Sequence, residues 1–342
     1  VYSIKRTVST AAVLAALLFV LLVVSITLGA ADISIGDTFS ILLSRIFPSL
    51  LGEGIRESHI HIIMNLRLPR ILTAMVVGIA LSVSGTVFQA VFRNPMADPF
   101  ILGISSGSAL GVAIGMVTGL AGVISARWGI PLSAFLGGLL ATMVIYMLSG
   151  KGASSNTLLL AGIAMNFMLS SAMSLLMYFN RESVESIVYW NMGSLSAVGW
   201  NDLSVIIPLI ALGVFAILLF SRELNAMTLG DETALSLGVS IQHVRIIVLL
   251  LSTVVTSAAV AISGTIGFVG LIIPHIMRMI TGANHRTLLP YAALGGAIFL
   301  VISDALSRSI MPPTEIPVGI ITAMAGAPYF IYLLKARGRN VL

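Results

Sequence analysis

Nine stretches of this chain run without a single Asp, Glu, Lys or Arg for long enough to cross a lipid bilayer: Val8–Ala31, Ile71–Phe92, Pro99–Ala126, Trp128–Gly150, Gly152–Asn180, Leu203–Ser221, Ile246–Met277, Thr287–Ser303 and Ile316–Leu334. A helix of about 20 apolar residues spans the hydrocarbon core. The composition agrees, since the chain is 58% hydrophobic and 9% charged, whereas soluble domains are about a quarter charged. Ile246–Met277 is too long for one crossing and holds Gly264, Gly267, Gly270 and Pro274 in its second half. Such density of helix breakers predicts an interruption near Gly264–Gly267. The expected fold is therefore all-α and polytopic, with about ten membrane-spanning helices in a single domain over residues 1–342.

The charges report topology. With ten spans and a cytoplasmic N-terminus, eleven basic residues fall inside, including Lys5, Arg6, Arg93, Lys151, Arg222, Arg245, Arg278, Arg286, Lys335, Arg337 and Arg339. Seven fall outside: Arg45, Arg56, Arg67, Arg70, Arg127, Arg181 and Arg308. That bias satisfies the positive-inside rule and places both termini in the cytoplasm. The basic balance is thus no sign of nucleic-acid binding. There is no cysteine, so thiolate metal sites and cysteine nucleophiles are excluded.

Two polar segments stand out. Residues 32–70 form an outer segment in which Ile35, Phe39, Leu42, Leu43 and Ile46 share a helical face behind a Ser34/Asp37 capping pair, which predicts a short surface helix. Residues 221–245 form the largest cytoplasmic loop. Within it Gly230 and Gly238 bracket a short helix that begins with Asp231 and Glu232, acids suited to the positive end of a helix. Between spans two and three, "RNPMADP" contains two proline turns that stop helix continuation. An internal echo pairs Val83–Gly103 with Ile262–Gly282, and "LGG" at 136–138 with "LGG" at 294–296. It points to a duplicated, inverted architecture.

Five motifs in order, "RLPR" (67–70), "SGTVFQAVFRNPMADPFILGISSG" (84–107), "LLLAGIAMN" (158–166), "SGTIGFVGLIIPHIMRMITGANHRTLLP" (263–290) and "EIPVGIITAMAGAPYFIYLL" (315–334), closely resemble the FecCD-type permeases of iron-chelate and cobalamin ABC importers. The resemblance covers the chain from about Ile60 onward. It implies a homodimer in the cytoplasmic membrane, two ATP-binding-cassette ATPase subunits below it, and an extracytoplasmic substrate-binding protein above it. The sequence has no GxxxxGK[ST] motif, so ATP and Mg are expected on the partner ATPase and no cofactor or metal in this chain.

The resemblance also assigns residues. Arg67, Arg70 and Arg308 would meet carboxylates of the binding protein, because a guanidinium can hold a carboxylate through two hydrogen bonds; headgroup contact is the alternative. Leu224, Met227, Leu229, Leu235 and Leu237 would enter an ATPase cleft, with Gly230 and Gly238 shaping the loop and Asp231 and Glu232 at its rim. Lys151–Thr157 would belong to an inner gate in which Ser154, Ser155, Asn156 and Thr157 pass a bulky ligand. Met165, Asn166 and Met168 would line the path, or else pack or face lipid. The rival reading is an ion-coupled secondary transporter or channel, a class that needs ionisable residues within its spans. Asp304, near the end of span nine, is the nearest candidate for that role. Among iron–siderophore, haem and cobalamin, an iron chelate is the expected cargo.

Overall fold

The computed structural model describes residues 4–29, 31, 33–50, 55–150 and 154–338. Asp32, Lys151–Ala153 of the expected gate loop, and Arg339 lie outside the described residues. The first span is α1 (Ile4–Thr27), followed by the outer helix α2 (Ile35–Ser44). The Ser34 hydroxyl accepts from the Asp37 N–H at 3.0 Å, the expected cap. Thr38 and Ile41 are the buried residues of α2, while Ile35, Phe39, Leu43 and Ile46 are exposed. The apolar face read from the sequence is therefore turned outward, as a helix lying in the membrane interface requires.

Next, α3 (Glu57–His61) runs through a single wide turn, Ile62–Arg67, into α4 (Leu68–Val91), making one 35-residue rod. Almost every residue of α4 is buried, and it forms the centre of the molecule. Its glycines explain how. A Cβ on Gly78 would strike the Gly296 carbonyl, and one on Gly85 would strike the Gly270 carbonyl. Two other helices thus approach α4 backbone to backbone, the way small residues let helices pack in membranes.

The third apolar block is not one helix. It divides into a tight turn at Pro99–Leu102, α5 (Ile104–Val117) and α6 (Leu120–Ile124), with left-handed Gly103 and Gly119 at the junctions. After it come α7 (Gly129–Ser149), α8 (Ser155–Phe179), the short outer α9 (Val184–Asn191) and α10 (Trp200–Leu219). On the inner side lie α11 (Ser221–Thr228) and α12 (Asp231–Ser236). The remaining spans are α13 (Ile241–Ser263), α14 (Val269–Thr281), α15 (His285–Ser309) and α16 (Val318–Gly338). Among the described residues seven helices are long and apolar enough to cross a membrane, and α5, α14 and the apolar part of α16 are shorter. Together they account for the ten expected spans.

The break between α13 and α14 falls where the glycines put it. Gly264 adopts φ 66° and Phe268 φ 69°. Unwound backbone at membrane depth is stable only when its polar groups find partners in the protein. Here the Ser194 N–H donates to the Ser263 carbonyl at 2.8 Å, and the Thr265 hydroxyl donates to the Asn191 carbonyl at 2.5 Å. The outer helix α9 thus ends against the break and satisfies it.

The two sequence echoes fare differently. "LGG" lies mid-helix in both α7 and α15 and serves one purpose twice: Gly137 meets the backbone of Gly107, and Gly296 that of Gly78. By contrast, Ser84-Gly85-Thr86 is helical within α4, whereas Ser263-Gly264-Thr265 ends a helix. That second match does not reflect shared local structure, because Gly264 takes a left-handed conformation and Gly85 does not.

Candidate functional site

The outer ends of α1, α4 and α15 meet around five charges. Arg70 Nε donates to Asp304 Oδ1 at 2.7 Å and its Nη1 to Glu315 Oε2 at 2.7 Å. Arg308, one turn after Asp304 on α15, donates from Nε to Asp304 Oδ2 at 3.0 Å. Its Nη1 and Nη2 reach the Leu28 carbonyl at 2.7 Å and the Ser25 hydroxyl at 2.8 Å. Arg67 closes the cluster by donating to the carbonyls of Ile26, Thr27 and Ala31 at 2.9, 3.1 and 2.7 Å. All three arginines and Asp304 are buried, and only Glu315 is substantially exposed.

Arg67, Arg70 and Arg308, the residues expected to meet the binding protein, thus lie together at one end of the molecule with their guanidinium groups buried. Each is occupied within the chain, where a buried charge must be paired or hydrogen-bonded. Arg67 and Arg308 cap the C-terminal carbonyls of α1, which otherwise lack partners, and Arg70, through Asp304, clamps the end of α15 to the start of α4. Asp304, which an ion-coupled transporter would use, is held by two arginines instead.

The inner surface carries the second constellation. The helix expected between Gly230 and Gly238 forms as α12, with Gly230 at φ 113° and Gly238 at φ 79°, and α11 precedes it. Their apolar residues divide in two. Leu229, Leu235 and Leu237 are exposed to 66%, 61% and 59%, but Leu224 and Met227 are fully buried. Leu224 and Met227 pack into the core. Their spacing of three puts both on one side of α11. Of the two acids, Glu232 is exposed, while Asp231 accepts from Arg93 Nη2 at 2.8 Å and from Arg245 Nη2 at 3.3 Å. The loop is further tied down by Asn225, whose side-chain oxygen accepts from the His285 N–H at 2.8 Å.

The "RNPMADP" turn sits beside α12. Asp98 caps the Pro99–Leu102 turn by accepting from the Phe100 N–H at 2.8 Å. Burial pushes its carboxyl up to about 6, against the opposing effect of that N–H.

The expected gate residues are scattered. Ser154, Asn156 and Thr157 are exposed at the start of α8, and the Ser154 hydroxyl caps the Thr157 N–H at 3.2 Å. The Ser155 hydroxyl donates to the Val91 carbonyl at 3.2 Å. Asn166 holds helices together: its amide donates to the Phe100 and Ile101 carbonyls, and its oxygen accepts from the Ser106 hydroxyl at 2.6 Å. Met165 is buried and Met168 exposed. Sequence reasoning missed the pairing of Asp304 with Arg70 and of Asp231 with Arg93. The first had a signal, because a carboxylate at the end of an apolar block requires a cation and Arg308 lies four residues on.

Comparison with known proteins follows this geometry. The profile of the FecCD transport family matches residues 17–336. The hemin transport system permease protein of Yersinia pestis is 43% identical over 321 residues, covering 92% of this chain and 93% of its own. The cobalamin import system permease protein of Halobacterium salinarum is 40% identical over 297 residues, covering 86% and 79%. A solved metal-chelate type ABC transporter in an inward-facing conformation superposes with a TM-score of 0.83 at 35% identity, covering 96% of this chain and 99% of that one.

Proposed function

The chain belongs to the FecCD transport family, as a multi-pass membrane permease subunit of an ABC importer and not an enzyme, and we propose that its cargo is an iron chelate or haem. The observation that carries the cargo is the 43% identity to a hemin permease across nearly the whole chain. Cobalamin is the second reading, favoured by the 40% identity to a cobalamin permease.

ATP hydrolysis by two partner ATPases supplies the work. The exposed Leu229, Leu235, Leu237 and Glu232 of the 221–245 loop are the contact surface for the ATPase, with Gly230 and Gly238 setting its shape. The substrate-binding protein docks on the outer end, where Arg67, Arg70 and Arg308 hold the helix ends in register. A second copy of this chain completes the path. The exposed face of α8, with Leu160, Ile163, Phe167 and Met168, supports a neighbour of lipid or protein there, and Ser154, Asn156 and Thr157 lie at its inner end. Both termini are cytoplasmic in this reading, on the strength of the basic residues that gather on that side.

Reconstitution tests the reading. Proteoliposomes holding the permease with its ATPase are supplied with binding protein and ATP, and uptake of hemin, ferric citrate and cobalamin is measured. ATP-dependent uptake that requires the binding protein, with hemin or ferric citrate preferred, is the expected result. Accumulation against a gradient by the permease alone would overturn it.

A further inference from the structure

The α4–α5 turn holds a residue in a conformation its type disfavours. Phe92 closes α4 and Arg93 follows at φ 48°. The Arg93 N–H donates to the Ala90 carbonyl and the Asn94 N–H to the Gln89 carbonyl, each at 3.2 Å. This paired pattern ends many helices and places a left-handed residue immediately after the cap, where glycine fits best because it has no Cβ. The chain uses glycine for the same stop elsewhere. At the end of α12 the Gly238 N–H donates to Leu235 and the Val239 N–H to Ala234, at 2.9 and 3.0 Å, with Gly238 at φ 79°. One chain therefore builds the same turn twice, once with glycine and once with arginine.

The arginine side chain accounts for the exception. It reaches Asp231, the first residue of α12, whose other oxygen accepts from Arg245 of α13. A single carboxylate thus joins three segments: the inner end of the buried rod α4, the loop helix α12, and α13. Arg93 and Asp231 keep 41% and 45% of their side-chain surface exposed, and ion pairs so exposed contribute little to stability. The disfavoured backbone thus carries a contact that adds little to the stability of the fold.

We propose that Arg93 is a positioning residue for energy coupling, linking α12 through Asp231 to the inner end of α4. When the ATPases move α12, the link passes that displacement to the rod on which α14 and α15 pack. The proposal rests on the reading of residues 221–245 as the ATPase contact.

The test uses the complete complex in proteoliposomes. It reads uptake per ATP hydrolysed, for whichever of hemin, ferric citrate and cobalamin the wild-type complex accumulates, alongside the apparent Tm of the purified permease. Arg93→Gly relaxes the turn and removes the link. It should keep or raise the Tm, retain the ATPase on co-purification, and lower uptake per ATP at least five-fold. Arg93→Lys, which keeps the charge, should fall between Arg93→Gly and wild type. Asp231→Asn should match Arg93→Gly, and the double variant should lose no more than either single one. Wild-type coupling in Arg93→Gly, a lower Tm, loss of its ATPase, or an additive double variant would each refute the proposal. Leu235→Asp separates the premise from the inference: it should release the ATPase, and an ATPase retained there would sink the contact reading and this link with it.

Discussion

Removing the Asp304 carboxylate should weaken the outer end of the molecule more than any other single change there. Asp304 is fully buried and, among the described residues, is the one carboxylate paired with Arg308, at 3.0 Å, while also holding Arg70 at 2.7 Å. In Asp304→Ala, Arg70 keeps Glu315 at 2.7 Å, so one of the two guanidinium groups stays paired. Arg308 keeps only the Leu28 carbonyl and the Ser25 oxygens. Stripping one partner from a buried ion pair costs about 3–5 kcal/mol, because the remaining charge is left desolvated. With Glu315 offsetting part of the loss, a destabilisation of about 3 kcal/mol is expected. Thermal unfolding in detergent, followed through Trp128, Trp190 and Trp200, should show the apparent Tm falling by several degrees. Combining Asp304→Ala with Arg308→Ala should cost less than the sum of the single changes, since the double variant no longer strands a charge. An Asp304→Ala protein that unfolds within a degree of wild type, or strict additivity in the pair, would refute the network.

Three further outcomes follow from the same geometry. Asp98→Asn keeps an acceptor for the Phe100 N–H but removes a carboxyl whose folded-state value is pushed up to about 6 from 3.8. A raised acid penalises the fold above its folded value and less as pH falls toward the unfolded one, so the variant should melt higher than wild type at pH 7.5, by no more than about 3 kcal/mol, and lose that advantage by pH 4. Gly296→Ala places a methyl against the Gly78 carbonyl and should cost about 1–3 kcal/mol, whereas Gly122→Ala meets nothing within 4 Å and should leave the melting curve unmoved or slightly raised. Leu235→Ser should release the ATPase in a pull-down without changing the Tm, while Leu224→Ser should lower the Tm by burying a hydroxyl in the core.

The spans were legible because a bilayer imposes a one-dimensional signal: charge-free length. Where span ends were misplaced, a charge had been taken for a boundary. Asp202 lies inside α10, accepting from the Gly199 N–H at 2.8 Å as its cap. Arg245 lies inside α13, buried and paired with Asp231. The third block supplies one span, α5, but its charge-free length overstates the helix, because left-handed glycines at 103 and 119 bound it and give no length signal. The site was less legible, since its chemistry comes from partners far apart in the chain: Arg70 lies 234 residues from Asp304 and 245 from Glu315. Read alone, an arginine at a span end looks like a surface group. Within α11 and α12 the leucines are chemically alike, and only packing against α4 separates buried Leu224 from exposed Leu229 and Leu235.

The two ends of the molecule hold their charges in opposite ways. Outside, Arg67, Arg70, Asp304 and Arg308 are desolvated and multiply bonded, so separating them would strand charges in a medium that cannot solvate them. Inside, Asp231 is half exposed and its pair with Arg93 is open to solvent on both sides, so water can replace that contact at little cost, whereas its second partner, Arg245, is buried. Under the proposed coupling that asymmetry has a use: the ends of α1, α4 and α15 that meet at Asp304 would act as a fixed point, while the exposed Arg93–Asp231 link at α12 can rearrange. Two states interconvert only if the element between them has more than one arrangement of similar energy. The exposed Arg93–Asp231 pair meets that condition and the buried cluster around Asp304 does not.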